Sequence, residues 1–157
     1  MKRKILSKLI EWKNKKNRKP LIVNGARQVG KTYILKEFGS HYYEKMAYVN
    51  CDKNKTLDKI FSQDYNISRI LLSLSAILHV NIEPENTLII FDEIQENPTV
   101  LNSLKYFCED ASQYHVAVAG SLLGISLHRD TSFPVGKVDM IKMYPMTFDE
   151  FLMAIGE

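Results

Sequence analysis

The residues best suited to chemistry lie in one short segment near the start of the chain. Residues 25–32 read Gly-Ala-Arg-Gln-Val-Gly-Lys-Thr, a G-x-x-x-x-G-K-T pattern. In this pattern the glycines let the backbone curl so that successive N–H groups face a phosphate. The lysine then reaches the β- and γ-phosphate oxygens, and the threonine hydroxyl binds Mg²⁺. The segment therefore predicts a phosphate-binding loop made of Gly25, Ala26, Arg27, Gln28, Val29, Gly30, Lys31 and Thr32.

Two adjacent acids follow a second apolar run and suit the other half of such a site. Residues 88–91 are Leu-Ile-Ile-Phe, and Asp92 and Glu93 come directly after them. Because a buried carboxylate is costly unless it serves a metal or a partner, we expect Asp92 to bind Mg²⁺, directly or through water. We expect Glu93 to be the general base that activates water, which favours ATP hydrolysis over kinase or GTPase chemistry. The alternative for Glu93 is a solvated residue that starts a loop.

The elements beside these motifs indicate an α/β fold. Leu21-Ile22-Val23 predicts a buried strand ahead of the loop, and residues 33–38 predict a short helix that ends at Gly39. Strands and helices alternate along the rest of the chain, which favours a mainly parallel five-stranded sheet between two layers of helices. Strands are predicted at 21–24, 47–50, 88–92, 116–120 and 138–143, and helices at 31–38, 56–61, 67–80 and 100–111.

Composition indicates one globular domain. The chain has 157 residues, of which 45% are hydrophobic and 25% are charged, enough for a substantial core. No segment has the pattern of a secretion signal or a membrane span, so we expect a cytoplasmic protein that does not bind membranes. Cys51 and Cys108 and the four histidines lack metal-ligand spacing, and we expect buried thiols in a reducing compartment.

Charge is divided unevenly along the chain. Residues 1–20 carry nine Lys or Arg and one Glu, a net charge of +8, whereas residues 21–157 carry 12 Lys or Arg and 17 Asp or Glu, a net charge of −5. An apolar stripe predicts a helix that docks on the core through Ile5, Leu6, Leu9, Ile10 and Trp12. Residues 13–20 predict a solvated basic tether, and nucleic-acid binding through residues 1–20 is the alternative.

Six segments together resemble the prokaryotic AAA-type ATP-binding proteins that carry a C-terminal domain of unknown function. The resemblance runs from the first helix to Phe151, and its most particular parts are Gly-Ser-Leu-Leu-Gly at 120–124 and Tyr-Pro-Met-Thr-Phe at 144–148. The segments are Gly25–Thr32, Phe91–Gln95, Ser103–Phe107, Ala119–Gly124, Pro134–Val138 and Tyr144–Phe151.

The resemblance implies roles for three further residues. It places strand 116–120 between the loop strand and the Asp92 strand, so that Ser121 lies beside the γ-phosphate as a sensor. It also matches Asn50 to a position that holds the catalytic glutamate inactive, although Asn50 could equally start a turn. Lys137 replaces a common arginine, and it either stabilises transition-state charge or protects the start of an edge strand. Arg27 either stacks on nucleotide or faces solvent.

The family pattern also sets the expected domain organisation. Residues 1–20 would form the basic helix and linker, and residues 21–157 the ATPase core, which ends before the helical lid and C-terminal domain of its relatives. A last helix is predicted from Thr147 by a capping box. Its apolar residues predict self-association through Phe148, Phe151, Leu152 and Ile155.

These observations predict Mg²⁺-dependent ATP binding and slow ATP hydrolysis, with Lys31, Glu93 and Ser121 as the catalytic residues and Thr32 and Asp92 as the metal ligands. Two alternatives stay open. The first is a switch that binds nucleotide without turnover and recruits DNA through the basic N-terminus. The second is a small-molecule kinase, although residues 122–136 contain only one arginine, Arg129, for an acceptor lid.

Overall fold

A five-stranded parallel sheet forms the centre of the molecule. The structure is a computed structural model that describes residues 4–26, 30–121, 134 and 136–144. The strands are β1 (Leu21–Asn24), β2 (Lys45–Asn50), β3 (Thr87–Asp92), β4 (His115–Gly120) and β5 (Asp139–Lys142). They pair in the order β2-β3-β4-β1-β5, and each pair is parallel. The predicted strands are therefore confirmed, including the position of β4 between β1 and β3.

In the described residues, five α-helices cover the two faces of this sheet. They are α1 (Lys4–Lys13), α2 (Lys31–Tyr42), α3 (Lys55–Gln63), α4 (Ile67–Leu78) and α5 (Pro98–Asp110). Three of them begin after an asparagine whose side chain accepts a backbone N–H of the first turn, and the three caps are Asn54, Asn66 and Asn97. Such a cap satisfies a backbone donor that has no partner inside the helix.

Helix α2 runs past the glycine that was predicted to end it. Gly39 is fully inside the helix, which continues to Tyr42. A Cβ atom on Gly39 would collide with the Met46 side chain and would lie 3.3 Å from Leu88 Cδ2. The glycine therefore serves close packing of α2 on the sheet, because the absence of a side chain lets the helix approach β2 and β3. Gly39 acts here as a spacer and not as a cap, and the predicted boundary was wrong.

The core is divided by the sheet into two layers. Helices α1 and α2 pack on one face and α3, α4 and α5 on the other. Alternation along β1 shows the division, since Leu21 and Val23 belong to one core and Ile22 to the other. Every residue of β3 and β4 is buried, as expected of central strands covered on both faces. The predicted three-layer α/β/α architecture is confirmed.

The basic segment after α1 is held against the core and is not a solvated tether. The Trp12 indole Nε1 donates to the Lys19 carbonyl at 2.8 Å, which folds the segment back on the helix. At the edge of the sheet, Asp139 accepts from the Lys19 backbone N–H at 3.0 Å and pairs with Lys15 at 2.9 Å. The tether prediction failed because it treated each basic side chain as free, although several have partners in the fold.

Arg18 connects the same segment to the residues that follow the C-terminus of α5. Its guanidinium donates to the Lys13 carbonyl at 3.3 Å and to the Ser112 carbonyl at 3.1 Å. It also lies 5.9 Å from the centre of the Trp12 ring. Burial lowers the pKa of Arg18 from its ordinary value, although nearby negative groups oppose the change. Nucleic-acid binding by residues 1–20 stays a prediction.

Several predictions concern other parts of the chain. The helix from Thr147 and its self-association surface lie outside the described residues, as do Arg27, Gln28 and Val29. Within the described ranges, no helix has both the length and the apolar character needed to cross a membrane.

Candidate functional site

The carboxyl ends of three neighbouring strands bring the predicted site residues together. The loop that begins at Gly25 follows β1, Asp92 ends β3, and Ser121 follows β4, the strand between them. Because the strands are parallel, these three ends lie at the same edge of the sheet, where ligands bind in open α/β folds. The Gly25 N–H also donates to the Gly120 carbonyl at 3.4 Å, which ties the loop to the tip of β4.

The described part of the predicted phosphate loop contacts the Lys31 ammonium through two backbone carbonyls. Lys31 Nζ donates to the Gly25 carbonyl at 2.6 Å and to the Ala26 carbonyl at 2.8 Å. Gly30 has φ of 90° and ψ of 23°, a left-handed conformation that glycine adopts readily, and α2 begins at the next residue. The lysine and the helix N-terminus therefore lie at the mouth of the loop, where both favour an anion.

Asp92 is buried and is fixed by three hydrogen bonds. Only 5% of the residue is exposed. Its Oδ2 accepts from Thr32 Oγ1 at 2.8 Å and from the Tyr48 hydroxyl at 2.6 Å, and its Oδ1 accepts from the Glu93 N–H at 2.9 Å. Donors to a carboxylate compensate for its burial and fix its orientation.

Tyr48 is a site residue that the sequence reasoning missed. Burial raises the pKa of Tyr48, and the hydrogen bond to Asp92 and the negative charge of Asp92 raise it further, so the phenol stays protonated and able to donate. The Lys36 ammonium lies 4.0 Å from the centre of its ring. No local pattern marked Tyr48, because its place near Asp92 depends on the register in which Asn50, two residues later on the same face of β2, pairs with Asp92.

Glu93 has an uncommon backbone conformation and a fixed side chain. Its φ of 54° and ψ of 48° lie in the left-handed region, which few non-glycine residues adopt. Its Oε2 accepts from Gln95 Nε2 at 2.5 Å. The side chain therefore has a specific partner, which the alternative of a merely solvated loop residue does not explain.

A cavity of about 520 Å³ lies between the start of α2, Glu93 and the tip of β4. Its lining includes Lys31, Thr32, Glu93 and Ser121, so the predicted residues of these three elements face one space. A second cavity, of about 550 Å³, lies among α4 and the residues around the end of α5, and none of its lining residues belongs to the phosphate loop. The first cavity is therefore the one that matches the chemistry. Its full lining is Gly30, Lys31, Thr32, Tyr33, Asp52, Glu93, Gln95, Glu96, Gly120 and Ser121.

Two residues given roles by resemblance have other contacts. Asn50 Oδ1 accepts from the Asp52 N–H at 2.9 Å, so its side chain starts a turn, as the alternative prediction had it. Lys137 lies just before β5, at the amino edge of the parallel sheet, and it pairs with Glu109 at 3.3 Å. That edge is opposite to the phosphate loop, so this placement favours the edge-strand interpretation.

The donors at the site fit a magnesium ion bound together with a nucleotide. Among the described residues no group of three or more His, Cys, Asp or Glu could hold a metal ion unaided. Mg²⁺ commonly keeps several waters and binds through one or two protein oxygens plus phosphates. Thr32 Oγ1 and Asp92 Oδ2, 2.8 Å apart at the end of the loop, supply oxygens of that kind.

Comparisons with known proteins agree with this geometry. A family model described as AAA domain matches residues 17–152. The fold is similar to that of a Walker-type ATPase of Pyrococcus abyssi, PABY2304, with a TM-score of 0.63 and 14% identity over 99% of this chain and 57% of that one. It is also similar to unliganded Pif1 from a Bacteroides species, with a TM-score of 0.50 and 14% identity over 99% of this chain and 45% of that one. A search of curated proteins found no match.

At 14% identity the two structural likenesses show the fold alone. The chain spans little more than half the length of the Pyrococcus protein and less than half that of the Bacteroides protein. The activities of those whole proteins are therefore not transferred to this chain.

Proposed function

The chain belongs to the AAA domain family, and from this premise we propose that it binds ATP together with Mg²⁺ and hydrolyses it slowly to ADP and phosphate. One observation carries the proposal. Lys31, Thr32 and Glu93 come from two separate segments of the chain and line one cavity of about 520 Å³, and Asp92 accepts a hydrogen bond from Thr32 at its edge.

Binding rests on the loop and the start of α2. Lys31 exchanges its contacts with the Gly25 and Ala26 carbonyls for the β- and γ-phosphate oxygens, which are stronger partners because they are charged. The N-terminus of α2 adds its N–H groups and its dipole. Thr32 and Asp92 would hold Mg²⁺, which when bound neutralises charge on the phosphates.

Hydrolysis needs a base beside the attacking water. Glu93 faces the cavity and takes a proton from water as the water oxygen forms a bond to the γ-phosphorus. The bond from the γ-phosphorus to the bridging oxygen breaks, its electron pair stays on that oxygen, and ADP leaves. Ser121, at the tip of β4, is the polar residue that would sense the γ-phosphate.

A second candidate is a nucleotide-dependent switch without turnover. The observation that favours it is the short hydrogen bond from Gln95 to Glu93, which occupies one oxygen of the proposed base. In this case ATP would bind through the same loop, but no phosphate would be released.

Titration with labelled ATP alongside a phosphate-release assay separates these candidates. Lys31→Ala removes the charge that binds the phosphates, and we expect ATP affinity to fall by about 2–3 kcal/mol, as for charge-assisted hydrogen bonds. Lys59→Ala, an exposed position on α3, is the matched control and should bind ATP as the parent does. Tight binding with phosphate release supports hydrolysis, and tight binding without release selects the switch. Unchanged affinity in Lys31→Ala refutes the site.

A further inference from the structure

Gln95 links the two halves of the cavity that carry the proposed chemistry. It lies in a short 3-10 turn, Ile94–Glu96, directly after Glu93. Its amide donates from Nε2 to Glu93 Oε2 at 2.5 Å, and its Oε1 accepts the Ser121 N–H at 3.3 Å. One side chain therefore contacts both the proposed base and the residue that follows β4.

We propose that Gln95 is the positioning residue that holds Glu93 and couples it to the tip of β4. The inference rests on the proposed function, because Glu93 is there the base. It goes beyond that function by naming the residue that orients the base. It also names the contact, between Gln95 and Ser121, through which bound phosphate would affect the position of Glu93.

Close packing at Gly120 supports a built contact between Gln95 and β4. A Cβ atom on Gly120 would lie 2.6 Å from Gln95 Oε1 and 2.5 Å from Ile94 Cγ2. Real Cβ atoms essentially never come so close to another heavy atom. The Ile94 and Gln95 side chains therefore rest directly on the backbone of β4, at a position that has no side chain of its own.

Among the described residues, Asn50 makes no hydrogen bond to Glu93 and so does not duplicate the contact from Gln95. Asn50 occupies the position that the family resemblance assigns to restraint of the glutamate, but its Oδ1 accepts the Asp52 N–H and its carbonyl accepts from Asn54 Nδ2 at 3.0 Å. Its amide oxygen is thus engaged in the turn that leads to α3. In the described structure the hydrogen bond to the Glu93 carboxylate comes from Gln95.

The two bonds of Gln95 differ in length, which suggests how the coupling works. The contact with Glu93 is short and charge-assisted, whereas the contact with the Ser121 N–H, at 3.3 Å, is long for a hydrogen bond. A phosphate oxygen that reaches the tip of β4 carries negative charge and competes with Gln95 Oε1 for this N–H. The exchange frees the Oε1 end of the Gln95 amide while its Nε2 still holds the Glu93 carboxylate, so the two side chains can move together toward the attacking water.

Gln95→Leu tests the inference because it keeps the size of the side chain and removes both hydrogen bonds. We expect the Ser121 amide to exchange with solvent several-fold faster by NMR than in the parent. We also expect kcat for ATP hydrolysis to fall about tenfold or more, with KM nearly unchanged, since misplaced groups lose rate more than binding. Gln63→Leu, an exposed position at the end of α3, is the matched control and should change neither quantity.

The outcomes separate this inference from the proposed function. Unchanged exchange of the Ser121 amide overturns the contact, and faster exchange with unchanged kcat overturns the positioning role. A loss of kcat in Asn50→Ala but not in Gln95→Leu assigns the role to Asn50 instead. ATP binding without any phosphate release in the parent refutes the proposed hydrolysis. The exchange rate of the Ser121 amide hydrogen then tests the contact between Gln95 and β4 by itself.

A second measurement does not need the Gln95 variant to fold. In the parent protein the Gln95 side-chain NH₂ resonances report the bond to Glu93. Glu93→Ala removes the acceptor, so these resonances should move while those of Gln63 stay in place. Unmoved Gln95 resonances would contradict the inference.

Discussion

Asp92 shows how the fold keeps a buried carboxylate in place. Its oxygens accept from the Thr32 and Tyr48 hydroxyls and from the Glu93 backbone, so three elements of the chain fix one side chain. If Thr32 bound Mg²⁺ as proposed, the Tyr48 hydroxyl and the Glu93 N–H would still donate to Asp92. These two donors would keep the carboxylate oriented toward the proposed metal.

Tyr48→Phe tests the importance of one of those donors. The substitution removes the hydroxyl and keeps the ring under Lys36. We expect Mg²⁺-dependent ATP affinity to fall about tenfold, or about 1.4 kcal/mol, as for a lost hydrogen bond to a charged group. Titration with labelled ATP at several Mg²⁺ concentrations measures the change, and Tyr42→Phe at the far end of α2 is the control. Tighter binding would instead show that the hydroxyl competes with the ion.

Replacing each acid with the corresponding amide should have different effects at Glu93 and at Asp92. Glu93→Gln keeps the shape and removes the base, so ATP affinity should stay within about twofold while phosphate release falls by a factor of about 10²–10⁴. Asp92→Asn should weaken Mg²⁺-dependent binding as well. Parallel binding and release assays on both variants decide the matter. Phosphate release at the parent rate in Glu93→Gln would mean that another group activates water.

Which site residues were predictable depended on what determines their position. Lys31, Thr32 and Asp92 follow from local patterns, since the loop and the strand end fix where they point. Tyr48 and Gln95 depend on strand register and on the path of a 3-10 turn, and no local pattern specifies either feature. For Asn50, the described contact is the one in the turn to Asp52, which fits the alternative that the residue starts a turn, and restraint of Glu93 stays a prediction.

At the scale of elements, α1 and the segment after it pack against the start of β4. His115, the first residue of that strand, is buried beside Trp12, and its Nδ1 lies 2.6 Å from the Tyr43 hydroxyl. Burial, together with the positive charges of Arg18 and Lys13, lowers the pKa of His115 from 6.5 to about 4. The imidazole is therefore neutral in the folded protein near neutral pH.

This burial predicts a loss of stability in mild acid. The folded pKa of His115 lies below the unfolded one, so the unfolded chain takes up the proton first. The contribution of His115 to the free energy of unfolding is complete above about pH 6.5. It is lost as pH falls toward 4, by up to about 1.4 kcal/mol per pH unit. Urea unfolding between pH 7.5 and 4.5 measures it.

His115→Gln, which keeps an acceptor for Tyr43, should show a flatter dependence on pH than the parent. His41→Gln is the control because that histidine is exposed on α2. The prediction is wrong if the parent and His115→Gln lose stability equally over this range.

Helix and strand positions were largely predictable, and the errors have local causes. Each predicted strand lies within two residues of the observed one. The buried strands β1, β3 and β4 each contain a short continuous apolar run, as expected of central parallel strands. The end of α2 was missed because Gly39 has the residue type of a cap but packs against Met46. The basic segment was missed because its partners, Asp139 and Ser112, are more than 90 residues away in sequence.

In the whole molecule, the site lies at the ends of strands that are covered by helices on both faces of the sheet. Helix α2, which supplies Lys31 and Thr32, packs on one face of the sheet, and the helices on the other face cover the same strands whose ends form the site. A ligand that contacts α2, β3 and β4 together can bind only when the sheet and its helices are assembled. Binding energy at the site is therefore linked to the stability of the whole fold.

Nucleotide should accordingly raise the melting temperature of the chain. With Mg²⁺·ATP at about 100 times its Kd, a ligand that binds only the folded state adds about 2.7 kcal/mol, or about 5–10 °C for a domain of this size. Scanning calorimetry on Glu93→Gln keeps ATP intact during heating, and the same scan with a chelator removes the metal contribution. The double variant Lys31→Ala, Glu93→Gln should show little increase, because the charge that binds the phosphates is gone. An equal increase in both variants would place the nucleotide outside the loop, and no increase in either would mean that the assembled edge of the sheet does not bind it.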